Sequence, residues 1–104
     1  MKTILSDRIE TEKLEEISSM LKVIAHPIRL DIVDLLSRHS ELTVLEIQNF
    51  LLLEQAIASQ HLILMKDKGV LKSKKIGRNR YFSLQYPHMQ TIIECMENCF
   101  SPHF

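Results

Sequence analysis

Residues 54–84, EQAIASQHLILMKDKGVLKSKKIGRNRYFSL, decide how the rest of the chain is read. In the first half, Ile57, Ala58, Leu62 and Met65, with Leu64 on the flank, recur at the steps of a helix running from about Gln55 to Lys68. Gly69 follows, where a helix C-terminus wants a residue able to take positive φ. The second half holds two β-prone runs, Val70–Ile76 and Asn79–Leu84, around Ile76-Gly77-Arg78-Asn79, whose Gly and Asn are hairpin-turn residues. A helix showing Gln55, Ser59, Gln60 and His61, followed by a hairpin bearing Lys72, Lys74, Lys75, Arg78 and Arg80, can enter a nucleic-acid groove and brace on phosphates. Charge alone leaves an ordinary solvated helix and hairpin equally open.

Working outward, Thr43 and Glu46 have the spacing of a capping box, in which each side chain bonds the other residue's backbone N–H. They open a short helix from Val44 to about Leu51, and a break at Leu52-Leu53-Glu54 separates it from the next. Two short helices so joined form a helix-turn-helix pattern over residues 44–68, with residues 70–84 as a basic wing. Upstream, Pro27 suits the first position of a helix over Pro27–Arg38. That helix is expected to bury Ile28, Ile32, Leu35 and Leu36, with Leu30 and Val33 flanking, and His39-Ser40-Glu41-Leu42 reads as a connector. At the two ends, Leu14, Ile17, Met20, Leu21 and Ile24 line one amphipathic helix, or two in series. Met89, Ile92, Ile93, Met96 and Phe100 line another that Pro87 opens. These terminal segments, 1–24 and 87–104, present apolar stripes to a core or a partner.

A chain of 104 residues is one domain, 1–104, mainly α with a small β-hairpin. Its order is three helices, a fourth recognition helix, two strands and a last helix. Net charge is zero, but its distribution is uneven. Residues 66–80 hold seven basic residues against one acid, Asp67, a net of +6, while residues 1–50 hold nine acids and six bases, a net of −3. One basic end suits a polyanion. No apolar run approaches the roughly 20 residues that span a bilayer. The N-terminal MKTILSDRIETEKLEE turns acidic too soon for a signal peptide, so a cytoplasmic protein is expected. No partnered nucleophile, acid–base pair or phosphate-cradling loop argues for an enzyme.

The run from about Leu21 to Leu84 resembles the ArsR/SmtB family of winged helix-turn-helix repressors. LKVIAHPIRLDIVDLL matches the family's leucine-alanine stretch, proline and arginine-leucine. TVLEIQNFLLLEQAIASQHLILMKDKGVL matches its helix-turn-helix, notably at Ser59, His61, Leu62, Gly69 and Val70, and Ile76-Gly77-Arg78 with Tyr81 matches its wing. The resemblance implies a homodimer whose first and last helices pair, binding a palindromic operator in double-stranded DNA and releasing it when an effector binds. The expected recognition surface is Gln55, Ala56, Ser59, Gln60 and His61, the last more positional than catalytic, with Lys74, Lys75, Arg78 and Arg80 on phosphates.

Departures from the pattern stand beside the matches. Leu52 occupies the usual glycine of the turn, Glu54 the usual serine opening the recognition helix, and Gln60 a position where a basic residue is common. His26 replaces the frequent acidic or polar residue before Pro27. These keep open an alternative, a winged-helix interaction module without DNA binding. No cofactor is required. The family's Cys-x-Cys metal site falls on Thr43 and Leu45, and a second site on Tyr86, His88, Cys99 and Pro102, of which only His88 and Cys99 can ligate. What remains as candidate ligands for a thiophilic metal ion or metalloid is His88, Cys95, Cys99 and His103. Cys95 and Cys99, four apart on one helix, are poorly placed for a disulfide with each other. They are packing thiols, metal ligands or redox thiols of a responsive sensor.

Overall fold

Local capping sets where the helices begin. In the computed structural model, which describes residues 4–100, α1 (Leu5–Arg8) and α2 (Thr11–Ile24) run in series at the N-terminus. The helix α3 (Pro27–Arg38) starts with His26 as its cap, whose Nδ1 accepts from the Ile28 N–H at 3.1 Å, and with Pro27 at the first position. His26 thus supplies the acceptor that an acidic or hydroxyl side chain would otherwise provide. The capping box opens α4 (Val44–Leu51): the Glu46 N–H donates to Thr43 Oγ1 at 3.2 Å, and the Thr43 N–H donates to Glu46 Oε1 at 2.9 Å.

The helix α5 (Gln55–Asp67) ends in a Schellman turn, Gly69 N–H to the Lys66 carbonyl at 3.0 Å and Val70 N–H to the Met65 carbonyl at 2.9 Å, with Gly69 at φ +80. The wing strands β2 (Leu71–Ile76) and β3 (Asn79–Leu84) pair antiparallel from Leu71↔Leu84 to Ile76↔Asn79, around Gly77 at φ +62. The connector before α4 was not expected to carry structure. It contains β1 (Leu42–Thr43), which pairs with β3 through Leu42↔Phe82 and Thr43↔Tyr81, making a three-stranded sheet in the order β1-β3-β2. The final helix also differs from expectation. Pro87–Met89 forms a 3-10 turn, and the α-helix proper, α6, is Gln90–Phe100.

The core sits around α3, against which α2, α5, β3 and α6 all pack. Ile32, Val33, Ile47, Leu62, Met65 and Val70 are fully buried there. Val33, expected on the flank, is fully buried and Ile28 and Leu35 are only half-buried, so the face that α3 turns to the core is rotated toward Val33. Ile57 departs the other way. It lies about 100° around α5 from the Ala58, Leu62, Met65 stripe and remains 39% exposed. Among the described residues no helix is long and apolar enough to cross a membrane.

Leu52 closes α4 as Gly69 closes α5, but with a side chain. It lies at φ 54 and ψ 47, the one positive-φ residue other than glycine among the described residues, and is 90% exposed. A left-handed conformation costs an L-residue about 1–2 kcal/mol, partly offset by the extra chain entropy a glycine brings to the unfolded state. Leu52→Gly is therefore expected to stabilise by roughly 0.5–1 kcal/mol. Thermal melts at matched concentration should show a rise of a few degrees, and an unchanged or lower Tm would refute the strain.

Candidate nucleic-acid interface

The helix α5 divides cleanly around its circumference. Ala58, Leu62 and Met65 are fully buried, while Gln55, Ala56, Gln60 and Ile63 face solvent and Ser59 is half-buried. The face opposite the core thus centres on Ala56, Gln60 and Ile63, spaced four and three residues apart. Ile63, 55% exposed, was not singled out from sequence. Six of the nine residues over 57–65 are aliphatic or Met, so Ile63 is lost among its apolar neighbours. Glu54 precedes the helix as its cap residue without a side-chain capping bond.

His61 is placed differently from the other residues expected at this surface. It lies about 60° from the buried stripe, half-buried, and its Nδ1 accepts from Arg29 Nε at 3.1 Å. Arg29 Nη1 in turn donates to the Val23 carbonyl at 3.0 Å. The His26 ring lies against His61 with centroids 4.9 Å apart. Burial, then the Arg29 guanidinium, then His26 hold the His61 imidazole below its usual pKa, which favours the neutral form that can accept from arginine. His61 therefore fastens α5 to α3 and to the end of α2 and sets the helix's position. Arg29 and His26 were not linked to it beforehand, because a contact across 32 residues leaves no local signal.

On the wing, Lys74 Nζ pairs with Glu41 Oε2 at 3.1 Å, and Arg80 Nη1 donates to Ser73 Oγ at 2.9 Å. Both contacts are exposed and weak enough to exchange for a phosphate. Lys75 and Arg78 are exposed and make no ion pair or side-chain hydrogen bond among the described residues. The wing continues directly from α5 through Gly69-Val70, and α5 packs on β2, so the helix and the basic hairpin are joined as one unit.

Between α2 and the start of α6 lies an open apolar groove of about 400 Å³, lined chiefly by Ile17, Met20, Leu21, Ile24, Met89 and Ile92. His88 lies at this groove. Cys95 and Cys99 are exposed on α6, so neither packs inside its own chain. Among the described residues no three His, Cys, Asp or Glu side chains gather to hold a metal ion. The 3-10 start of the final segment takes His88 off the helix that carries the cysteines, and His103 lies outside the described residues.

A helix-turn-helix whose second helix feeds a basic hairpin in a small antiparallel sheet defines a winged helix-turn-helix protein. The chain belongs to the arsR family of bacterial regulatory proteins, whose profile matches residues 26–73, a family of DNA-binding transcriptional regulators and not of enzymes. It is 38% identical over 96 residues to the transcriptional repressor PagR of Bacillus anthracis, an alignment spanning 92% of this chain and 96% of that protein. The crystal structure of PagR is similar with a TM-score of 0.76 and 40% identity, covering 84% of this chain and 99% of that one. A homologue of the cadmium resistance transcriptional regulatory protein CadC, from Staphylococcus aureus, is 32% identical over 76% of this chain and 65% of its own length. HlyU from Vibrio cholerae has a similar structure, with a TM-score of 0.75 and 26% identity over 90% of this chain and 100% of that one.

Proposed function

We propose that the protein is a homodimeric repressor that binds a palindromic operator in double-stranded DNA and releases it when an effector binds. The observation that carries this reading is the direct joining of an amide-bearing, solvent-facing helix to a basic wing. Gln55, Ala56, Ser59 and Gln60 face the base edges in the major groove, and Lys75 and Arg78, joined by Lys74 and Arg80, meet phosphates on either side. His61 acts from behind, holding the helix at its angle. The apolar groove between α2 and α6 pairs with its copy in a second chain, and a two-fold dimer presents two such units to the two halves of a palindrome. PagR, a repressor by name, lends support through its identity over nearly the whole chain.

Salt dependence tests the reading. Each phosphate neutralised contributes about −0.9 to the slope of log K against log salt. Arg78→Ala is expected to weaken binding to all duplexes alike and to reduce that slope by roughly 0.9 per wing, as read by fluorescence anisotropy across a salt series. Gln60→Ala should instead change sequence preference at nearly constant slope. Absence of duplex binding by the reduced protein even at low salt would favour an interaction module.

A further inference from the structure

The solvent-facing side of α5 is amide and aliphatic, with its charged groups confined to the ends. Glu54 stands before the helix, and Lys66 and Asp67 lie in its last turn. Between them the exposed line runs Ala56, Gln60, Ile63. Ile63 belongs to no part of the hydrophobic core, although the buried side of the same helix is fully packed. A β-branched side chain left in water at mid-helix gains little for folding, and beside Gln60 it is available to whatever docks on that face.

The chemistry of base edges narrows what this face can read. Guanine offers two acceptors in the major groove, matched best by Arg or Lys, and neither occurs on this line before the last turn. Adenine offers an acceptor beside a donor, which one glutamine amide satisfies with two hydrogen bonds. Thymine offers a 5-methyl group, whose natural partner is an aliphatic side chain. Gln60 and Ile63, one turn apart on the same line, are suited to adenine and thymine respectively.

We propose that α5 is a reader of A·T base pairs, in which Gln60 bonds adenine and Ile63, with Ala56, packs on thymine methyl groups. This rests on the DNA-binding function proposed above and deepens it by naming the base chemistry. Ile63 is then the specificity-determining residue that the sequence alone left unnoticed. Removing one contacted methyl from water is worth about fourfold in affinity.

The test uses the chain as it stands, reduced, with Ile63→Ala and Ile63→Arg beside it and circular dichroism confirming that each folds. Duplexes are selected from a random pool, and the winners are remade with deoxyuridine replacing thymidine one position at a time, which deletes only the 5-methyl group. Wild type is expected to enrich A·T-rich half-site cores and to lose about fourfold in affinity at one or two thymines per half-site. Ile63→Ala should lose that sensitivity at the thymine its own side chain covers, while a thymine under Ala56 keeps it, and Ile63→Arg should move the enriched cores toward guanine. G·C-rich cores, or losses to uracil that are equal in wild type and Ile63→Ala at every thymine, overturn the base-reading proposal and leave DNA binding intact. Failure to bind any duplex, even at low salt, overturns both.

Discussion

A Leu21→Glu variant is expected to sediment as a folded monomer and to lose operator binding by a thousandfold or more. Leu21 is 46% exposed in the single chain, in the groove between α2 and α6 beside Ile17 and Met89. A carboxylate there keeps access to water in the monomer, so the fold should tolerate it. In the two-fold pair proposed above the same change appears twice on a self-complementary surface, in a groove whose Lys13 is already engaged by Glu16 at 3.6 Å. Desolvating an unpaired charge costs several kcal/mol. Two such charges raise the dissociation constant of the dimer by roughly 10³-fold or more. The DNA consequence is steeper than the lost contacts suggest, because a monomer forfeits the linkage of two half-sites, an advantage of about 10²–10⁴. Analytical ultracentrifugation with operator titration reads both effects. A dimer that persists at micromolar concentration would remove the α2–α6 groove as the pairing surface.

The second large effect belongs to the core beneath the recognition helix. Leu62 is fully buried in the core cluster that also holds Ile32, Ile47, Met65 and Phe82. Leu62→Ala removes three carbons where α5 meets the rest of the domain, and such truncations cost roughly 2–5 kcal/mol. A domain of this size has only about 5–15 kcal/mol in total. The melting temperature should fall by about 10–20 °C when wild type and variant are compared at the same protein concentration. Ile63→Ala, one residue along but facing water, should leave the melting temperature within a degree or two. A comparable loss at both positions would contradict the two-sided character of α5.

Those adjacent residues show why the sequence told some things and not others. Helix ends written in local chemistry were legible to the residue: Pro27, the Thr43–Glu46 box and Gly69 each act within a few positions of themselves. The basic wing was legible because charge density needs no fold to be counted. Features made by distant segments were not. Val33 is buried because the core-facing side of α3 is rotated toward it, and a single helix's periodicity cannot report from which direction its neighbours will arrive. The two-residue strand β1 is too short to alternate, and its Thr43 was already accounted for as a cap. His61 carried the right family position, yet its tie to Arg29 and His26 depends on how α3 meets α5. Within the candidate site, the exposed amides of Gln55 and Gln60 could be named in advance, whereas Ile63 came into view only once exposure separated it from Leu62.

The strand order β1-β3-β2 also bears on how the protein behaves when it is concentrated. Both outer strands of the sheet are poor templates for a further strand. One is two residues long, and the other carries Lys72, Lys74 and Lys75 in a row of six. A second sheet approaching that rim would have to bring lysine against lysine, a standard defence against edge-to-edge aggregation. Strand addition is thereby closed off, and the exposed apolar area on the helices is left as the route to self-association. The lysines that make the wing basic thus also keep free chains from stacking before they meet DNA.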